Sequence, residues 1–141
     1  VKYLCDKQTK IKLHELQEWY NGYINEGVKL YNPRSVVKAL KNKKCKNYRT
    51  NTSNMDEVSK YLKYNILDVK TDIIKMMSGE KIRIKINEDF RAGQSAPKNR
   101  KELYSAMIAL GFLSYNDGYL KIPNKELMIE FEFFMLLYYY K

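Results

Sequence analysis

The sequence predicts a mainly α protein with a small β component, in which a run of helices leads into a winged-helix-like helix–hairpin–helix. Three observations carry that expectation. Residues 99–127 hold helix, hairpin and helix signals back to back. Lys81–Ile86 alternates strictly between cations and isoleucines. The residues before it repeatedly show a capping residue followed by apolar positions at helical spacing.

In chain order, Ile11, Leu13, Leu16 and Tyr20 give Lys7–Tyr20 a helical pattern that Gly22 would stop. Tyr23-Ile24, a turn at Asn25-Glu26-Gly27 and Val28–Tyr31 read as a small hairpin. Asn32 and Pro33 form an N-cap and N1 pair for a helix with Val36, Val37 and Leu40 inward, fraying into Lys41–Lys46. Ser53 with Asp56 opens a third helix whose face is Met55, Val58, Leu62 and Ile66. Asp68–Ser78 is a fourth, with Val69, Ile73, Met76 and Met77 inward and Gly79 at its end. Lys81–Ile86 then places three isoleucines on one side of a strand and three cations on the other. The loop Asn87–Lys98 has no apolar periodicity.

Asn99 with Glu102 is a capping-box start, and Leu103, Met107 and Leu110 form the apolar face of the next helix. Gly111 ends it. Phe112–Tyr115 and Tyr119–Ile122 are the strands of a wing, joined through Asn116, Asp117 and Gly118, which tolerate positive φ. After Pro123, Asn124 caps a closing helix with Leu127, Phe131, Phe134, Met135 and Tyr138 on one face and Phe133, Leu136, Leu137 and Tyr140 on the other. A helix apolar on both sides needs cover on both sides. Together with a start at Val1, this leads us to expect a fragment of something longer.

At 141 residues, 45% hydrophobic and 30% charged, the chain can bury one moderate core or two small ones. Lys and Arg number 26 against 16 Asp and Glu, a net +10 that favours anionic partners. The excess is concentrated early: residues 1–50 hold 12 basic and 4 acidic side chains. Cys5 and Cys45 lie far apart in a lysine-rich chain, so reduced thiols in a cytoplasmic or other intracellular setting are expected, and two cysteines with the single His14 make no zinc set. Phe133–Tyr140 is the longest apolar run, far short of the roughly 20 residues a membrane-spanning helix needs. No membrane crossing is expected.

Trp19-Tyr20-Asn21-Gly22-Tyr23, Tyr31-Asn32-Pro33-Arg34-Ser35, Asn51-Thr52-Ser53-Asn54, Ser78-Gly79-Glu80, Gly111-Phe112-Leu113 and Leu120–Glu126 follow one another in an order and spacing that resembles the AAA-ATPase-like family. Members of that family usually pair a P-loop ATPase-like domain with a nuclease-like domain of the PD-(D/E)XK superfamily. The resemblance implies that residues 1–67 are the helical end, or lid, of the ATPase-like domain. Residues 68–141 would be a winged-helix-like connector with the start of the next domain's helix. Arg34 and Arg49 stand where such proteins more often carry tryptophan. The resemblance transfers no catalytic residue. The chain has no Gly-x-x-x-x-Gly-Lys-Ser/Thr loop and no strand-borne Asp followed by Glu-x-Lys, so no cofactor is expected here, and ATP and magnesium are implied for the parent family only. The expected partners are the flanking domains of the same polypeptide.

The alternative is a nucleic-acid-binding module. Between Gly27 and Met55 stand eight cations, Lys29, Arg34, Lys38, Lys41, Lys43, Lys44, Lys46 and Arg49, with no acid, and such a run can track the phosphates of DNA or RNA. A solvated helix end explains the same residues. The helix beginning near Asn99 would present Asn99, Arg100, Lys101 and Ser105 to a groove, if it is not simply a packing element. His14 reads as solvated, Trp19, Tyr20 and Tyr23 as packing aromatics, and Met76 and Met77 as gap fillers. Glu130 and Glu132, two apart on a helix, face different ways and suit no shared metal.

Overall fold

The computed structural model of the chain describes residues 1–8, 10–25, 27–49, 53–64, 66–86 and 96–138. The mainly helical architecture with small sheets is as expected.

The N-terminal part differs first from expectation. Helix α1 (Lys2–Asp6) precedes α2 (Leu13–Tyr20), and the helix expected from Lys7 starts six residues later. The reason is Gln8. Its Oε1 accepts from the backbone N–H groups of Lys10 (2.9 Å) and Ile11 (2.8 Å), while its Nε2 donates to the Cys5 carbonyl (2.8 Å), offering the backbone partners that a helix would otherwise supply. Next come β1 (Tyr23–Asn25) and β2 (Val28–Leu30), an antiparallel pair with Ile24 opposite Lys29; the turn expected there includes Glu26, which lies outside the described residues. Helix α3 (Pro33–Asn42) is capped as anticipated, the Asn32 side chain accepting from the Ser35 N–H at 3.3 Å. Its buried positions are Ser35, Val36 and Ala39, whereas Val37 is exposed: the inward stripe is rotated by one position from the one expected. The helix does not fray either. Lys43 adopts a left-handed φ of 57° and the Lys44 N–H closes back on Ala39 at 3.1 Å, a defined stop.

Helices α4 (Ser53–Leu62) and α5 (Val69–Met77) follow. Val58, Leu62, Val69, Ile73 and Met76 are buried; the side chains of residues 53–56, including the expected Ser53–Asp56 cap, lie outside the described residues. Strand β3 is short, Ile82–Arg83, continued only by the Ile84 N–H bonding to the Gly118 carbonyl at 3.0 Å. Alternation survives beyond the ladder: Ile82 and Ile84 are buried, and Lys81, Arg83 and Lys85 are exposed. Most of the loop Asn87–Lys98 lies outside the described residues.

Helix α6 (Arg100–Ala109) starts at Asn99, whose side chain accepts from the Glu102 N–H at 3.0 Å. The reciprocal half of the expected box is displaced by one residue, since the Glu102 carboxylate accepts from Lys98 N–H instead (2.7 Å). Gly111, at φ 82°, turns the chain out of the helix. The two strands of the second hairpin are β4 (Ser114–Asn116) and β5 (Tyr119–Lys121). Phe112 and Leu113 precede the strand expected to contain them and are core residues. Asp117 and Gly118, at φ 52° and 82° between the paired Asn116 and Tyr119, form the tight two-residue turn that such a φ pair permits. The strand order β3-β5-β4 is antiparallel throughout. Helix α7 (Lys125–Tyr138) begins where Asn124 Oδ1 accepts from the Leu127 N–H at 3.0 Å. Among the described residues no helix is long and apolar enough to cross a membrane.

Two cores result. One gathers Cys5, Leu16, Tyr20, Val36 and Tyr48; the larger packs α4, α5, the sheet and α6 around Phe112, Phe131 and Phe134, with the Phe131 and Phe134 rings edge to face at 5.9 Å between centroids. The helix–hairpin–helix is thus held by the apolar face of α7. Leu110, expected in that core, is only half-buried at the end of α6. Leu103→Ala should therefore cost about 2–5 kcal/mol and Leu110→Ala distinctly less. Denaturant unfolding of the two variants checks the order, and equal losses would contradict it.

Candidate functional site

The basic segment begins on β2, runs through α3 and ends in the extended stretch before α4. Lys29, Arg34, Lys41, Lys43, Lys44 and Lys46 are exposed and Lys38 is half-buried. The stretch is anchored from below: the Tyr20 hydroxyl donates to the Lys46 carbonyl (2.8 Å) and accepts from the Lys46 N–H (3.0 Å), and burial pushes the phenol's pKa well up, so it stays a neutral donor. Lys46 Nζ also sits 5.2 Å from the Tyr48 ring centre.

Arg49 leaves the set. Its guanidinium lies 4.6 Å over the Phe112 ring, with Nη1 donating to the Tyr23 hydroxyl (3.3 Å) and Nη2 to the Leu110 carbonyl (3.2 Å). Arg49 is therefore half-buried and held by packing contacts, unlike the exposed lysines of the same segment. Arg34, by contrast, is simply exposed.

Helix α6 has the character of a packing element, the other of the two roles open to it. Leu103 through Met107 are all buried, including Ser105, whose hydroxyl turns back to the Lys101 carbonyl at 2.8 Å. Arg100 is paired with the buried Asp72 (2.9 Å), which also accepts from Tyr104 (2.7 Å). Lys101 is exposed, but the Asn99 side chain is used as the cap. A helix sunk this far in its own core has little polar face left to read bases.

Beneath the basic stretch lie two acids, of which sequence reasoning weighs Glu130 only as a metal ligand and gives Glu126 no role of its own. Glu126 and Glu130, one turn apart on α7, are 0% and 1% exposed. The Glu126 carboxylate accepts from Ser35 Oγ (2.8 Å), the Tyr48 N–H (2.9 Å) and Asn32 Nδ2 (3.4 Å); Asn47 Nδ2 donates to Glu130. Burial raises the pKa of both carboxyls, against the opposing pull of the Tyr48 N–H and Ser35 on Glu126, of Asn47 on Glu130 and of Arg49 on each. Glu130 Oε2 and Arg49 Nε are buried without a hydrogen-bond partner among the described residues. The signal was present in the sequence: an i, i+4 acid pair inside a largely apolar helix, and an acid-free cationic segment elsewhere.

These contacts fasten the first core to the second. Beside them Asn124 Nδ2 donates to the Asn21 carbonyl (2.8 Å), and Gly22, at φ 96°, lies so close to Pro123 that a Cβ there would fall 2.1 Å from the Pro123 carbonyl oxygen. His14 is exposed, Tyr20 and Met76 are buried, and Trp19 is half-buried with Lys125 Nζ 5.0 Å over its ring. Cys5 and Cys45 are free thiols. Glu132 is exposed on the opposite side from Glu130, as their spacing requires. Among the described residues no three His, Cys, Asp or Glu side chains gather as metal ligands would. No family model, curated protein or solved structure matches the chain.

Proposed function

We propose that the chain is a non-catalytic connector of the AAA-ATPase-like kind, in which a helical lid is fastened to a winged-helix-like unit between an ATP-binding domain and a nuclease-like one. The observation that carries this reading is the polar fastening itself. Glu126 and Glu130 are placed to hold the segment 32–49, since Ser35 and the Tyr48 N–H occupy the Glu126 oxygens and Asn47 donates to Glu130 Oε1. Support comes also from α7, which leaves Phe133 (49% exposed) and Leu136 (65%) uncovered, an apolar side suited to a flanking domain of the same polypeptide. The purified chain should hydrolyse neither ATP nor DNA with magnesium. Turnover that survives repurification and changes with point substitutions in this chain would overturn the reading.

A second reading is favoured by the six exposed cations of the basic segment. A phosphate-tracking face would bind DNA or RNA non-specifically with a dissociation constant of ~10⁻⁴ to 10⁻⁶ M near physiological salt. Replacing Lys41, Lys43, Lys44 and Lys46 together by Ser removes up to four contacts, and should lower the slope of log affinity against log salt by as much as ~3.6. Thermal stability should hardly move, because all four side chains are exposed. An unchanged salt slope would leave those lysines as a solvated face.

A further inference from the structure

The outer face of the three-stranded sheet has a chemistry that the connector reading leaves unused and that meets the basic segment only at Lys29, on the neighbouring hairpin. In β5, Tyr119 and Lys121 point away from the core that Leu120 enters, and in β3 Arg83 stands directly opposite Tyr119 on that same outer side. Lys81 and Lys85 flank Arg83 on the outer side, and Lys81 Nζ lies 5.9 Å from the centre of the Tyr119 ring, which is itself 40% exposed. The β1–β2 hairpin packs alongside: Ile24 lines one small depression with Lys81, Asn116, Tyr119 and Lys121. Residues directly opposite in an antiparallel pair share a face, so Lys29, opposite Ile24, extends the same surface. Cations thus surround an exposed aromatic ring and an isoleucine across two small sheets. Glu80, beside Lys81, and Asp117, at the turn, are the acids at its margin.

We propose that this face binds single-stranded nucleic acid, with Tyr119 as the platform for an unstacked base and Lys81, Arg83, Lys121 and Lys29 as phosphate contacts. A sheet face that offers both an aromatic ring and a ring of cations matches the two needs of an unpaired strand, stacking and charge neutralisation, without base-specific hydrogen bonds. A duplex hides its bases from such a platform. The groove-entering alternative is weakened by the burial of α6 from Leu103 to Met107. The surface stands apart from the connector reading, and apart from Lys41–Lys46.

The test is fluorescence anisotropy of the whole chain with a labelled oligothymidylate, beside a blunt duplex of equal length. The single strand should bind more tightly than the duplex. Tyr119→Ala should weaken single-strand binding roughly 5- to 150-fold, while Tyr119→Phe, which keeps the ring, should nearly retain it. The pair Arg83→Gln and Lys121→Gln should lower the single-strand salt slope by up to ~1.4. The Lys41, Lys43, Lys44 and Lys46 variant should leave the Tyr119-dependent part of the affinity in place. Should Tyr119→Ala fail to fold, Tyr119→Leu keeps bulk on the strand without the ring and decides the same question. Absence of binding, tighter binding of the duplex, or indifference to Tyr119 and to the Arg83 and Lys121 pair would each overturn the proposal and leave these cations as charges that keep an edge strand from pairing with other chains.

Discussion

Gly22→Ala should destabilise the protein by about 2–5 kcal/mol although it adds one methyl group. Two costs combine. A non-glycine residue held at φ 96° loses about 1–2 kcal/mol to the clash between its own Cβ and backbone. A methyl 2.1 Å from the Pro123 carbonyl oxygen forces two backbone segments apart, an overpacking cost of about 1–3 kcal/mol. That neighbour is backbone, which cannot swing aside as a flexible side chain would. Gly27, at φ 78°, has nothing within 4 Å of its would-be Cβ, so Gly27→Ala should show the first cost without the second. Denaturant unfolding of both variants measures the difference, and comparable losses would mean that the approach of Gly22 to Pro123 carries no energy. Because the contact joins the two cores, Gly22→Ala should also separate their unfolding transitions.

Glu126→Ala should cost about 3–5 kcal/mol, the range for removing one member of a buried charged network. The substitution strands the Ser35 hydroxyl and the Tyr48 N–H away from water and removes the acceptor of an Asn32 amide proton, and each buried donor without a partner is expensive. Glu126→Gln keeps an acceptor in place and should be far milder. The pH dependence has a definite sign. Both carboxyls have folded pKa values raised above the ordinary 4.5, chiefly by burial, so above 4.5 the native chain holds more of these protons than the unfolded chain. Their contribution to stability is fully present below 4.5 and is lost as the pH rises through the folded values. The melting temperature of the native protein, minus that of the Glu126→Gln, Glu130→Gln double variant, should therefore decrease as the pH rises from 4.5 towards neutrality. A difference that is flat or rises over that window would show that the two sites are not held as described.

Local chemistry was legible wherever a residue determines its own neighbourhood. Asn32-Pro33, Asn99 and Asn124 cap three helices, and Asp117-Gly118 sets the turn of the β4–β5 hairpin, because these interactions span three or four residues and need nothing distant. Lys81–Ile86 gave its two faces correctly but not its length: side-chain alternation is a property of the segment, whereas a ladder needs a partner, and β5 supplies one for only part of it. The start of α2 was missed because Gln8 competes locally for the backbone, something that apolar spacing does not register.

The cations show where local reading stops. Their number, their concentration before residue 50 and the absence of acid among them were determined by the sequence alone. Which cations find partners in the fold was decided by tertiary structure: Arg49 lies on Phe112 and Arg100 against Asp72, from 63 and 28 residues away. Glu126 is the counterpart case. On the sequence it is one acid in the first turn of an apolar helix; in the fold it accepts from Ser35, 91 residues distant, and from the Tyr48 N–H, 78 residues distant. A cap or turn is stabilised by groups adjacent in the chain and can be read there, but a charge can be buried only where partners from remote segments replace its water, and those partners exist only once the chain has folded.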